Sequence, residues 1–165
     1  MIFVTVGNAT QGFLRLLQTV DDLAGNGYFN GEIVIIQSGH SHDFRATHCQ
    51  QEDFLPPQRF AELIRQSDVV VCHGGAGTLY HVFQAEKIPV VMPRRRKYGE
   101  HLDDQLELVK TLATQARVIP AYEPDDLPGA ISAARERNAQ PSPPPPSRMI
   151  TLVAQAIEEL IGPKL

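Results

Sequence analysis

The run Val69-Val70-Val71-Cys72 has no polar alternate and is too short for an ordinary helix. A strand apolar at every position must be covered on both faces, as in a parallel sheet flanked by helices. The rest of the chain repeats the motif. Residues 2–6 (Ile-Phe-Val-Thr-Val) are strand-like and end at Gly7, and Phe13, Leu14, Leu16, Leu17, Val20 and Leu23 then recur at helical spacing. Residues 33–36 are a second buried, β-branched strand, and residues 38–53 read as a long polar connection. Pro56 and Pro57 precede a helix carrying Phe60, Leu63 and Ile64. Beyond the valine run, a glycine turn leads into a helix with Leu79, Val82 and Phe83, and residues 89–92 form the next strand. A helix from about His101 places Leu102, Leu106, Val109 and Ala113 on one face. Residues 117–119 are a short strand and 123–138 a helix, with Pro124 tolerated in its first turn.

Strand–helix alternation with right-handed crossovers predicts an α/β fold, a Rossmann-like doubly wound parallel sheet. Residues 1–138 are read as the α/β domain and 139–147, with the run Pro141-Ser142-Pro143-Pro144-Pro145-Pro146, as a proline-rich spacer. Residues 148–165 read as an amphipathic helix that packs on the same domain or docks a partner.

Charge narrows the function. The 165 residues carry a formal net charge of -4, without the overall basic balance that nucleic-acid binding requires. No apolar run approaches the roughly 18–20 residues that span a bilayer. No basic and apolar leader precedes the first strand, so a soluble chain without a signal peptide is expected. Cys49 and Cys72 show no metal or disulfide spacing, and the six histidines form no metal pattern, so no metal is expected.

In doubly wound sheets ligands lie outside the carboxyl ends of the strands. Two turns with suitable chemistry fall there: Gly7-Asn8 after the first strand, and His73-Gly74-Gly75-Ala76-Gly77-Thr78 after the valine run. Glycines permit positive φ and close approach of a ligand. The helix behind them offers unpaired N–H groups and a partial positive charge, an anion site suited to a diphosphate. Other phosphate motifs fail: Phe13 stands where a P-loop has its lysine, and no GxGxxG follows the first strand. His73-Gly74-Gly75 is like a lipase oxyanion loop, but the chain has no GxSxG. Arg94, Arg95, Arg96 and Lys97 follow the next strand, and Arg94, nearest its end, is the best candidate for ligand contact. His101, Asp104 and Gln105, at i, i+3 and i+4, are expected to share a polar helix face toward the ligand edge.

These motifs run in the order of a known family. Residues 1–7, 37–40, 53–55, 67–78, 87–94 and 98–104 together resemble the glycosyltransferase family 28 C-terminal domain. The likeness is greatest to the PssE and EpsE type of small subunit in bacterial exopolysaccharide glycosyltransferases, and MurG is more distant. The resemblance implies the C-terminal, donor-binding half of a GT-B enzyme, with a UDP-sugar as substrate and no cofactor or metal. It implies that Gly74, Gly75, Ala76, Gly77 and Thr78 hold the donor diphosphate and that Phe54 and Leu55 meet the uracil. His81 stands where relatives often carry a glutamate on the ribose; a histidine can still hydrogen-bond a ribose hydroxyl. Glu100, His101, Asp104 and Gln105, with His73 and Arg94, are implied at the donor sugar or phosphates, and Gly7 and Asn8 at the adjoining loop. Relatives often read Asp-Asp-His-Gln where this chain has Asp103-Asp104-Gln105, one residue shorter.

The implied reaction is inverting transfer of a hexose, hexuronic acid or N-acetylhexosamine to a lipid-linked saccharide acceptor, for exopolysaccharide or glycan synthesis. A membrane-associated acceptor-binding subunit would supply the base, so no catalytic residue is named on this chain. The implied location is cytoplasmic, at the inner face of the membrane through that partner. A homodimer of the isolated chain is left open. An inactive nucleotide-sugar-binding or scaffold subunit is the alternative. A lone UDP-sugar epimerase fits poorly, because 165 residues leave no second lobe to close over a substrate.

Overall fold

The computed structural model describes residues 1–140: the spacer read from 139 begins inside a helix that runs to Ala139, and its residues 141–147 and the last amphipathic segment lie outside the described residues. Six parallel strands form one sheet: β1 (Ile2–Thr5), β2 (Val34–Gln37), β3 (Gln50–Glu52), β4 (Val69–His73), β5 (Val90–Met92) and β6 (Ile119–Pro120). Their spatial order is β3-β2-β1-β4-β5-β6, the doubly wound arrangement in which strand order reverses beside β1. Among the described residues, four α-helices lie between strands, α1 (Leu14–Gly25), α2 (Pro57–Gln66), α3 (Ala76–Gln84) and α4 (Leu106–Thr114), and α5 (Leu127–Ala139) follows β6.

The alternation of side chains along each strand divides the core. Ile2, Val4, Val69 and Val71 face Leu16, Leu17 and Val20 of α1 and Ala130, Ile131 and Ala134 of α5. Phe3 and Val70 face Leu63 and Ile64 of α2 and Val82 of α3. Cys72 and Val91 pack with Leu79 and Phe83 of α3 and Val109 and Leu112 of α4. Each fully apolar strand therefore has a helix layer on both sides, which is why it needs no polar alternate.

The structure departs from the sequence reading at the polar margins. Strand β3 lies inside the connection read as irregular. It pairs only with β2, so its Gln50 and Glu52 side chains stay in water and no hydrophobic pattern marks it. Ile33 is 53% exposed and precedes β2, so the buried strand begins at Val34. The strand expected at 117–119 is instead Ile119–Pro120, where Pro120 is tolerated because β6 is an edge. The helix expected from His101 begins only at Leu106, after a 3-10 turn (Arg96–Tyr98) and an irregular segment. Leu102 is accordingly 75% exposed and does not join the apolar face.

Candidate functional site

A cleft of about 430 Å³ opens at the carboxyl edge of the sheet, where β1 and β4 part. Gly7 and Asn8 after β1, and His73, Gly75, Gly77 and Thr78 around the end of β4 and the start of α3, form its inner part. Leu55, Pro57 and Phe60 of the β3–α2 region and His81 of α3 line the rest.

The β4–α3 turn leaves a row of backbone N–H groups without acceptors. The first N–H inside α3 to find its intrahelical acceptor is that of Leu79, bonded to the Gly75 carbonyl. Among the described residues, the N–H groups of Gly75, Ala76, Gly77 and Thr78 have no acceptor, no side chain caps the helix, and no acidic residue occupies its first turn. Helix dipole and free donors there favour a negatively charged ligand. Among the described residues no lysine or arginine lines the cleft, so the backbone supplies the positive character there.

In the β4–α3 turn, Gly74 and Gly75 are required by crowding rather than by left-handed backbone. Gly75 has φ of -80°, open to any residue, but a Cβ there would lie 2.1 Å from His73 Nε2. A Cβ on Gly74 would lie 2.8 Å from Val109 Cγ2, and the Gly74 N–H already donates to Gln105 Oε1 at 3.0 Å. Gly74 thus serves the packing of α4, and its N–H is not free for a diphosphate, contrary to the sequence reading. Gly77 faces open space. Gly7, with φ of 69°, does need the left-handed region, and a Cβ there would lie 2.4 Å from His73 Cε1.

His73 fills the gap between the two turns. It is 8% exposed, and its Nδ1 has no hydrogen-bond partner among the described residues. Burial, aided by the positive charge of Arg94, pushes its pKa down to about 3, so the imidazole facing the cleft is neutral. Gln37 was not singled out as a site residue in the sequence, although it opens one of the matching segments. Its buried amide accepts from the Thr5 hydroxyl (2.5 Å) and the Gly7 N–H (3.2 Å), and donates to the Gly7 and Asp53 carbonyls (3.2 and 2.9 Å). It holds the Gly7 peptide from both sides. Pro57 and Phe60, read only as helix start and core, also face the cleft; Phe60 meets His81 edge-on at 5.7 Å.

Several expected contacts are not brought to this cleft. Arg94 is fully buried, with Nη1 donating to the Gln11, Gly12 and Glu100 carbonyls and Nη2 to Val6 O at 2.8 Å. It ties strand ends together and is unavailable to a ligand. Glu100, 5% exposed, pairs with Arg15 Nε at 2.9 Å and Nη2 at 3.0 Å and accepts the Arg95 N–H, so it does not face a donor sugar in the cleft. His101 and Asp104 lie in the irregular segment before α4 rather than on a helix face. His101 bonds locally to Asp103, while Asp104 pairs with Arg95 and accepts the Leu106 N–H at the start of α4. Gln105 does reach the glycine turn, but its Oε1 bridges the Gly74 and Arg94 N–H groups. Phe54 is 49% exposed and rests against His40, outside the lining; Leu55 takes the place in the cleft. The i, i+4 logic failed because these residues are not helical, and charge runs carry no information about which members fold inward.

A doubly wound parallel sheet with an open anion cradle at its switch point defines the class: a Rossmann-like α/β domain of the kind that forms the C-terminal half of GT-B glycosyltransferases. The chain belongs to the glycosyltransferase family 28 C-terminal domain family, whose model matches residues 1–160. Among solved structures it is similar to the glycotransferase of kitacinnamycin, with a TM-score of 0.61 and 17% identity over 96% of this chain and 42% of that one. A second is the glycosyltransferase SnogD from Streptomyces nogalater, with a TM-score of 0.45 and 18% identity over 98% and 42% of the two chains. The chain thus spans less than half the length of these structural relatives. No curated protein sequence matches the chain. No helix among the described residues is long and apolar enough to cross a membrane.

Proposed function

We propose that this chain is the donor-binding half of an inverting glycosyltransferase, holding a UDP-sugar in the cleft between β1 and β4. The observation that carries the reading is the row of four free N–H groups, Gly75 to Thr78, at the start of α3 beside that cleft. They suit a diphosphate, and the neutral His73 beside them offers one more polar atom without a competing charge. The base would lie toward Leu55, Pro57 and Phe60, where an apolar wall suits a flat ring, and the ribose toward His81.

In this reading an acceptor hydroxyl attacks the anomeric carbon of the donor as the bond from that carbon to the diphosphate oxygen breaks. The electron pair leaves with UDP, and the acceptor proton passes to a base on a partner subunit. This chain stabilises the charge growing on the diphosphate through the α3 N-terminus. The partner is a membrane-associated subunit that brings a lipid-linked saccharide, and together the two serve exopolysaccharide or glycan synthesis at the inner face of the membrane.

Calorimetric titration with UDP tests the reading. Gly77→Glu places a carboxylate in open space at the mouth of the cradle, where no backbone clash disturbs the fold. The wild type is expected to bind UDP and the variant to bind at least about tenfold more weakly, by charge repulsion. Equal binding by the two proteins would sink the assignment of the cradle. UDP binding without sugar transfer in the presence of the partner would instead favour a scaffold subunit.

A further inference from the structure

We infer that a second cavity on the same edge of the sheet is a saccharide subsite, taking a hydroxyl-rich part of the acceptor; its assignment to the acceptor rests on the donor-binding reading above. The cavity, about 460 Å³, lies between the start of α1, residues 40–43 after β2, and Tyr98 and Glu100 of the β5–α4 loop. It borders the donor cleft along the β1–α1 connection and the segment after β2: Gly7, Asn8 and Gln37 line the cleft, and Gly12 and residues 40–43 line the second cavity.

The residues expected at the donor sugar build the frame of this cavity. Arg94 fastens the β1–α1 connection, through the Gln11 and Gly12 carbonyls, to the carbonyl of Glu100. Arg15, at the start of α1, grips Glu100 with two hydrogen bonds and also donates to Pro93 O (3.0 Å) and Tyr122 O (2.9 Å). Taking three charges out of water is costly, and such a network is weak evidence for stability. It does hold the walls contributed by α1 and the β5–α4 loop in one fixed arrangement, as a preorganised site requires.

The lining selects the ligand class. Arg15 and Glu100 neutralise each other, leaving Asp43 as the uncompensated ionised side chain, so a phosphate is disfavoured. Leu14 is the one aliphatic side chain in the lining. The Tyr98 ring is 47% exposed and is held by Arg15 Cζ at 4.9 Å and Lys97 Nζ at 4.4 Å from its centroid. Around it, the His40 and His42 rings and the Asp43 carboxylate have no hydrogen-bond partner among the described residues. Free donors and acceptors beside a half-exposed tyrosine match a pyranose, whose hydroxyls both donate and accept.

The test uses saturation-transfer NMR on the full chain, with the methyl pyranosides of glucose, galactose and N-acetylglucosamine as probes and UDP calorimetry in parallel. Transfer to at least one pyranoside is expected. It should survive Gly77→Glu and weaken about tenfold in Asp43→Asn and Tyr98→Ala, whose UDP isotherms stay unchanged. Absence of transfer from all three probes, or transfer lost in Gly77→Glu but kept in Asp43→Asn and Tyr98→Ala, overturns the subsite. Pyranoside binding here in a wild-type protein that does not bind UDP keeps the saccharide site and overturns the donor reading, and with it the assignment to an acceptor.

Discussion

At the scale of single residues, one motif contains glycines with opposite consequences. Gly75 faces the His73 ring across a gap with no room for a methyl group, so Gly75→Ala should destabilise the protein by about 1–3 kcal/mol as ring or turn shifts. Gly77 lies in open space within α3, where alanine is the better helix former, so Gly77→Ala should add about 0.5–1 kcal/mol. Urea denaturation of both variants checks the contrast. His73 itself leaves a pH signature. Its folded pKa, pushed down to about 3 by burial, lies below its ordinary value of 6.5. Between those values the unfolded chain takes up a proton that the folded protein does not, so stability falls as pH drops from about 6.5 toward 3. His73→Gln should show a shallower loss of melting temperature over that range; an unchanged slope would mean that His73 is protonated in the folded state.

At the scale of elements, the edge strand β3 depends on a clamp from another layer. Asp21 of α1, 7% exposed, accepts the backbone N–H groups of Thr47 (3.0 Å), His48 (2.9 Å) and Cys49 (3.1 Å), the residues leading into Gln50. Burial alone would raise its pKa, but the hydrogen bonds from Thr47 and His48 outweigh it and hold the carboxyl below its usual range. Its contribution is therefore present above the unfolded-state pKa and lost as pH falls through the folded one. Asp21→Ala leaves three donors without their acceptor and should cost about 1–3 kcal/mol. Hydrogen exchange at residues 50–52 should quicken more than exchange in β1 or β4. Uniform quickening across the sheet would show that the clamp serves the whole fold instead of its edge.

At the scale of the molecule, ligand binding and stability are linked. A ligand that binds only the folded chain stabilises it by about 2.7 kcal/mol at a hundredfold excess over Kd. On the donor reading, UDP should raise the melting temperature of the wild type and, at the same concentration, raise that of Gly77→Glu by at most about half as much. A shift of equal size in both would place UDP away from the α3 N-terminus. On the donor and saccharide readings the two cavities divide the work of this edge, with the β1–α1 connection bordering both; Gln37 bonds it at Gly7 and Arg94 at Gln11 and Gly12.

The sequence by itself determined the layering and which turns fall at the carboxyl edge of the sheet. The run Val69–Cys72 is apolar at every position because both faces of its strand are covered, and that pattern is local and readable. The turn after it announced an anion cradle for the same reason: a strand, glycines and a helix start are contiguous in the chain. Only the tertiary structure decided which polar side chains face the cleft. Arg94 and Glu100 turn inward to bind carbonyls and another charge, while Gln37, 2% exposed at the end of β2, comes to grip Gly7 from 30 positions away. Hydrophobic period reports burial through repetition, but a single polar residue has no period, and its role is fixed by partners distant in the chain that only the folded molecule brings within hydrogen-bonding range.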